Sequence, residues 1–531
     1  MNVTRLSLLC IGVFVSSGWS ASANTTLPTG NGQPFQNEQP SLVLNYIVNI
    51  SGGPDDLGEV GMFAGNFAPR GWAFAHGQPL DVSENSDLFD KLGTTFGGDG
   101  VTSFALPDLR GRSAIGAGSG PDSTNYMLGQ QVGSQQVTLG SSPQHRHDIG
   151  TGYLTELAGN ATAHSNMQPS LALTPIIATQ GLFPSRNLSA STDSDLAPFG
   201  IGVEPYLGEV TWLAHDDVPT GWARADGTLL SIASHQALFS ILGNTYGGDG
   251  RVDFALPDLR GRTPVGVGQG PGLPNHPLGQ EYGDTEETLN LAQLPSHDHS
   301  LPDNLGSTNS TGGSGAQSNL QPALPLTHLF AVEGTYPSRN LAALGSGPEP
   351  YIASVSMFAG NYAPRSYMMT DGQVLDISTY TAAFSLVGDI YGGDGRSNFG
   401  LPDLRGRTIV GEGQGIGLSN RALGQEYGQE TSILSTSNLP SHTHEFTVLA
   451  GDFDLDGDVD GYDFLMWQRG ESPNPLSNTD LTAWQNNYEM TVPLSASSTA
   501  VPEQTSAMLV VVASMACCAL RQQSAGTRNR C

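Results

Sequence analysis

The chain has 531 residues, enough for three or four domains, and its 50 acidic residues outnumber 21 basic ones to give a formal charge of −29. Such a surface repels phosphate backbones, which argues against nucleic acid as a partner. With 68 Gly, 34 Pro and only 13% charged residues the composition suits turn-rich β or irregular domains rather than helical bundles. No cysteine lies between Cys10 and Cys517, so neither a disulfide nor a cysteine-ligated metal is expected in the body.

Residues 1–23 read as a secretory signal. Arg5 supplies the positive end, Leu6–Val15 a short apolar core, and Ala21-Ser22-Ala23 a small-residue cleavage site. A ten-residue core falls short of the roughly 20 residues that span a bilayer. The chain is therefore expected to be exported, to the cell envelope, an extracellular matrix or the medium. Residues 24–38, rich in Asn, Pro, Gly and Gln, read as linker.

Three segments with apolar residues at alternate positions follow from Gln39-Pro40, Gln168-Pro169 and Gln321-Pro322; each predicts a strand with a buried face. The same order of elements then runs in triplicate. A strand begins at Gly58-Glu59-Val60 and Gly208-Glu209-Val210, with a degenerate copy at Ala353-Ser354-Val355. Next come Gly71-Trp72 and Gly221-Trp222; the third copy departs with Ser366-Tyr367. A short helix is predicted around Leu88, Phe89 and Leu92, around Leu238, Phe239 and Leu242, and around Ala383, Phe384 and Val387. Gly93, Gly243 and Gly388 stop these helices.

The densest block comes next: Gly-Gly-Asp-Gly, three residues, Phe, then Leu-Pro-Asp-Leu-Arg-Gly-Arg. It occupies Gly97–Arg112, Gly247–Arg262 and Gly392–Arg407, spaced by 150 and 145 residues, the signature of one small domain copied three times. Its glycines admit left-handed backbone angles, and Asp108, Asp258 and Asp403 are placed to accept turn N–H groups. Arg110 and Arg112, Arg260 and Arg262, and Arg405 and Arg407 have Asp99, Asp249 and Asp394 as expected partners. Such a set can bind anions or catalyse, but ion-paired scaffolds look the same in sequence, and the scaffold reading is preferred. The Gly-x-Gly runs after each block, such as Gly266–Gly270 and Gly411–Gly415, lack the strand, helix and acid of a dinucleotide fold and read as turns.

Each copy ends in His-x-His: His145/His147, His297/His299 and His442/His444. In extended chain residues i and i+2 share a side, so each pair can offer two imidazoles to one centre. Six together could fill an octahedron, or four of them a tetrahedron, around Zn or Fe. The alternative, histidines capping loops or facing solvent, stays open. A metallohydrolase is disfavoured, because no further His or Asp ligands recur in all copies.

The order Gly-Glu-Val, Gly-Trp, Leu-Phe-x-x-Leu-Gly, Gly-Gly-Asp-Gly, Leu-Pro-Asp-Leu-Arg-Gly-Arg and His-x-His resembles the phage tail collar family, whose bacterial relatives are called microcystin-dependent proteins. The similarity covers about residues 39–446. It implies an α+β fold: three tandem, loop-rich collar-type domains (39–150, 151–300, 301–446) with short strands and one short helix each. It also implies trimeric tail-fibre tips that bind surfaces without catalysis, and it offers a precedent for His-x-His motifs closing on a three-fold axis around a metal. One departure is His76, where the other copies have Asp226 and Asp371.

Residues 450–490 read as a small helical calcium module. Asp452, Asp454, Asp456, Asp460 and Asp463 take positions 1, 3, 5, 9 and 12 of a calcium loop, with Gly457 at the sharp turn and Asp458 at the backbone-ligand position. Asp at position 12 resembles a dockerin type I loop, implying Ca2+ and a cohesin-like partner. Phe464-Leu465-Met466-Trp467-Gln468 is echoed by Leu481-Thr482-Ala483-Trp484-Gln485, as though a second half kept its helix and lost its loop. After a linker at 491–500, residues 501–531 resemble a PEP-CTERM sorting tail read by a processing protease, although Gln504 stands where a second Pro is expected.

These elements together predict an exported bacterial surface or matrix binding protein, non-enzymatic, whose ligand is a surface glycan or another envelope component. The alternative is a dockerin-tethered component of a secreted glycan-degrading assembly.

Overall fold

The computed structural model describes residues 21–53, 55–120, 123–150, 153–185, 205–301, 307–338 and 350–491. Most of the expected signal and all of the expected sorting tail lie outside them. The chain forms two compact units, one of residues 25–147 and 156–444, the other drawn from residues 1–24, 148–155 and 445–531. Both are described below on their own. Secondary structure is mainly β, with five α-helices among the described residues.

In the larger unit each repeat contributes the same four elements. The first supplies β1 (Ser41–Asn49), β2 (Glu59–Phe63), α1 (Ser86–Leu92) and β3 (Ser113–Gly116). The second supplies β4 (Ser170–Ala178), β5 (Glu209–Leu213), α2 (Gln236–Leu242) and β6 (Thr263–Gly266). The third supplies β7 (Ala323–Ala331), β8 (Ser354–Phe358), α3 (Thr381–Val387) and β9 (Thr408–Gly411). Strands β1, β4 and β7 are buried on both faces, which explains why their alternation is blurred by further apolar residues.

The three repeats are not three separate domains. Each long strand turns back on its own repeat through an antiparallel hairpin, β1 with β2, β4 with β5 and β7 with β8. The second strands of the three hairpins then pair in a ring: β5 with β8, β5 with β2, and β8 with β2. The other half of each long strand pairs in parallel with the strand that follows a Leu-Arg-Gly-Arg block. For β4 that strand is β3 and for β7 it is β6, each from the preceding repeat; for β1 it is β9, from the last. The ring thus closes between Leu44 and Gly411. A single apolar core runs through it, with Leu42, Leu173, Leu324, Phe104, Phe254 and Phe399 all buried.

Local detail follows the sequence pattern. Phe89, Phe239 and Phe384 on the helices lean on Phe104, Phe254 and Phe399 at 5.4, 5.4 and 5.6 Å between ring centroids. Gly93, Gly243 and Gly388 sit at positive φ and return their N–H groups to the carbonyls of Phe89, Phe239 and Phe384.

Two expectations are revised. Residues 24–38 do not behave as linker from Thr25 onward: Thr26, Phe35, Asn37 and Glu38 are buried, Asn37 Nδ2 donates to the Met167 carbonyl at 2.9 Å, and Glu38 is paired with Arg421. Their polar side chains are satisfied by neighbouring repeats, so composition alone misleads. Asp99, Asp249 and Asp394 are not the arginine partners. Each folds its own Gly-Gly-Asp-Gly turn, and the Asp99 carboxylate accepts from the N–H groups of Val101, Thr102 and Ser103. Asp249 and Asp394 do the same in their copies.

Where the repeats meet, three glycines are obligatory for steric reasons alone. A Cβ at Gly116, Gly266 or Gly411 would lie 2.0, 2.0 and 2.2 Å from the carbonyl oxygens of Leu259, Leu404 and Leu109. Gly266→Ala or Gly411→Ala should therefore destabilise the head by about 1–3 kcal/mol or more. Gly140→Ala, whose Cβ meets nothing nearer than 3.8 Å, should be close to neutral; thermal melts of the three variants check this.

Candidate metal centres

The six histidines of the His-x-His motifs meet at one point of the larger unit. His145, His147, His297, His299 and His444 are buried, and His442 is partly so. Pair by pair, the rings adjoin as the vertices of an octahedron do. His145 stands opposite His299, His147 opposite His442 and His297 opposite His444; every other pair of ring centroids lies 4.8–5.4 Å apart at 69–84°. Opposite vertices always come from different repeats, so no single repeat can hold the arrangement.

The tautomers follow from the hydrogen bonds. The Nδ1 atoms of His145, His297 and His442 each reach the carbonyl two residues back, at Pro143, Pro295 and Pro440, over 2.7–2.9 Å. Those of His147, His299 and His444 reach the carbonyls of Asn309, Leu27 and Glu156 over 2.9–3.0 Å. A carbonyl accepts only, so every Nδ1 carries the hydrogen and every Nε2 presents a lone pair. The Nε2 atoms of His145, His297 and His442 are 3.2 Å from one another, and that of His444 is 3.3 Å from His145, yet none has a hydrogen to share. An octahedron of 3.2 Å edge has its centre about 2.3 Å from each vertex, close to the roughly 2.0–2.1 Å of imidazole–zinc bonds. The residues thus fit a six-coordinate transition metal, and a cation would relieve the lone-pair repulsion.

Sequence reasoning identified all six rings but missed the carbonyls of Leu27, Asn309 and Glu156 that orient three of them. Every residue carries a carbonyl, so no side-chain signal marks these, and Leu27 fell within the expected linker.

The Asp/Arg set lies elsewhere, as scaffold. Arg110, Arg260 and Arg405 grip Asp108, Asp258 and Asp403 through two parallel N–H bonds of 2.7–2.9 Å. Each Asp also accepts its arginine's backbone N–H, closing the turn. The buried guanidiniums of Arg112, Arg262 and Arg407 reach onward to Gln131, Glu281 and Glu426.

In the smaller unit Asp452, Asp454 and Asp463 converge, with carboxylate oxygens within 4.8 Å of one another. Asp463 is fully buried and accepts the N–H groups of Phe453, Asp454 and Asp460. Asp452 takes the Gly457 N–H at 3.1 Å and the Tyr153 hydroxyl at 2.6 Å, while its Oδ1 is buried without a partner. Burial, followed by the neighbouring carboxylates, pushes the Asp452 carboxyl up to about 7. Asp456, Asp458 and Asp460 stand outside this cluster among the described residues. Asp456 accepts the N–H of Asp458, and Asp460 caps α4 (Gly461–Arg469) by accepting from Tyr462.

The second half-motif echoes the helix of the first. In α5 (Asn478–Asn487) Asp480 takes the place of Asp463, but it holds Asn474 instead of a loop of carboxylates. Trp467 donates to the carbonyl of Ser477, the cap of α5, and Trp484 donates to that of Asp460, the cap of α4. This exchange explains why the tryptophan recurs.

Three segments, residues 58–114, 208–264 and 353–409, match the model of the Phage Tail Collar Domain family. Each repeat of the chain therefore carries one segment similar to the phage tail collar domain. No curated protein and no solved structure matches the chain.

Burial lowers the ring pKa values, His145 to about 3 and His147 and His299 to about 4. A metal-free head then binds fewer protons folded than unfolded. Its stability should be complete above the ordinary histidine value of about 6.5 and decline as pH falls toward about 4. Melting temperatures of chelator-treated protein across that window check this, and His147→Gln should flatten the slope.

Proposed function

We propose that this is an exported bacterial cell-surface or matrix protein whose three collar domains form one binding head, acting in adhesion to a surface glycan or another envelope component. The observation that carries the reading is the closure of three repeats of one polypeptide around a single histidine octahedron. That closure gives the symmetry of a trimeric fibre tip to a monomer. In this reading Zn2+ or Fe2+ sits among His145, His147, His297, His299, His442 and His444 and supplies a structural clamp, with no coordination position left open for chemistry.

The smaller unit, on the same reading, is a dockerin-like module holding Ca2+ at Asp452, Asp454 and Asp463, with Asp456, Asp458 and Asp460 drawn in on binding. The partnerless Asp452 Oδ1 and the raised Asp452 carboxyl support this, because each is unfavourable until a cation arrives. The signal segment and sorting tail would deliver the chain to the envelope, where a processing protease reads the tail.

Elemental analysis of the purified full chain should find one transition metal per molecule, and chelation should lower its melting temperature by several degrees. Zinc and iron both absent, with melting unmoved by chelator, would end the clamp. Calcium titration by calorimetry should show one site that weakens at least tenfold in Asp463→Asn and weakens as pH drops from 8 to 6, since the Asp452 proton must leave. Binding of the intact protein to arrayed envelope glycans and to bacterial cells tests the adhesion role; retention on neither overturns it.

A further inference from the structure

The three junctions between repeats share a frame but not a lining. Each is built on a Gly-x-Gly run facing an arginine of the next repeat's block: Gly116 pairs with Arg260, Gly266 with Arg405 and Gly411 with Arg110. Around this frame the residues diverge. At the position two beyond Leu44, Leu173 and Leu326 in register stand Tyr46, Pro175 and His328. The residue between the glycines is Glu412, Ala117 or Val267, and the residue two before His76, Asp226 and Asp371 is Phe74, Arg224 or Met369.

At the junction of repeats two and three this divergence leaves a cavity of about 220 Å³, lined by His328, Val267, Met369, Asp371 and Arg405 among others. A water molecule's share of liquid volume is only about 30 Å³. His328 is 2% exposed, and its Nδ1 hydrogen goes to the Leu326 carbonyl at 3.1 Å, leaving Nε2 as an acceptor with no hydrogen-bond partner. Burial holds the ring neutral, its pKa lowered to about 4. The counterpart positions carry no such orphan: the Tyr46 hydroxyl donates to the Ile409 carbonyl, and Pro175 has no polar side-chain atom.

The lining defines the ligand's chemistry. His328 Nε2 needs a hydrogen, and the Asp371 carboxylate, which accepts the Gln373 N–H at 3.3 Å, can accept more. Arg405 commits Nε and Nη2 to Asp403 and keeps Nη1 as a further donor. Val267 and Met369 offer apolar surface. An anion would face a carboxylate and a bare imidazole lone pair, with the guanidinium charge already answered by Asp403. A metal cation would find only one imidazole and one carboxylate among the lining side chains, too few to replace its water shell. A neutral ring of hydroxyls with one apolar face satisfies every group, because each hydroxyl both donates and accepts.

We infer that the junction of repeats two and three is a carbohydrate subsite for one neutral pyranose unit, with His328 and Asp371 accepting from adjacent hydroxyls and Arg405 donating to one. This rests on the reading of the head as a glycan-binding surface and places its contact at one of three diverged junctions.

The test uses the full chain and three named probes, methyl α-D-glucopyranoside, methyl β-D-galactopyranoside and methyl N-acetyl-β-D-glucosaminide, by saturation-transfer NMR and calorimetry. Two variants install residues that the sister junctions already carry: Val267→Glu, as at Glu412, and Met369→Arg, as at Arg224. Melting within a few degrees of the parent protein shows that they fold. The expected result is binding of at least one probe, weakened at least tenfold in both variants. Undiminished binding in both variants, or adhesion to cells with no probe bound, overturns the subsite and leaves the adhesive head standing. Failure to bind cells, arrayed glycans and probes alike removes both.

Discussion

Six imidazoles commit their Nδ1 hydrogens to backbone carbonyls and turn six lone pairs toward one point. The rest of the head follows from that convergence. Two rings of each repeat must arrive together, hence the extended His-x-His. Opposite vertices must come from different repeats, hence the pseudo-three-fold ring. Three of the carbonyls are borrowed from other segments of the chain, hence the burial of a polar N-terminal stretch. Neutral imidazole is the only state these contacts tolerate, which is why burial and mutual repulsion both act against protonation.

Much of this was legible in the chain itself. The triplicated block, the helix stops at Gly93, Gly243 and Gly388 and the histidine pairs are short-range features, and local chemistry writes them plainly. What stayed hidden is long-range. Asp99 and Asp108 offer Arg110 the same carboxylate from within one block, and only coordinates separate the one that folds its own loop from the one that grips the arginine. The stretch around Thr26–Glu38 carries ordinary linker composition, because its partners sit on other repeats more than a hundred residues away. Spacing in the Asp-rich loop placed five carboxylates and the Asp458 backbone in one ligand set, whereas three carboxylates converge and Asp460 caps a helix.

Symmetry in the head is strict where packing demands it and relaxed elsewhere. Gly116, Gly266 and Gly411 admit no Cβ, and the buried Phe104, Phe254 and Phe399 fill equivalent places. Beside these fixed points Tyr46, Pro175 and His328 share one backbone position with three unrelated side chains. A homotrimer would have to change all three such sites together. A single polypeptide can alter one and leave its sisters alone, which is the advantage of fusing the repeats.

The parallel pairing of β1 with β9 joins Leu44 to Gly411. A ribosome adding about 5–20 residues each second needs on the order of 20–70 s to travel between them. During that interval β1, which the finished ring buries along its whole length, lacks its final neighbour. The ring therefore closes only after nearly all of its chain has been made, a high-contact-order ending that is slow by nature. Molecules that meet while waiting can exchange β1 for one another's, so the same architecture that closes within one chain also leaves a route to domain-swapped chains.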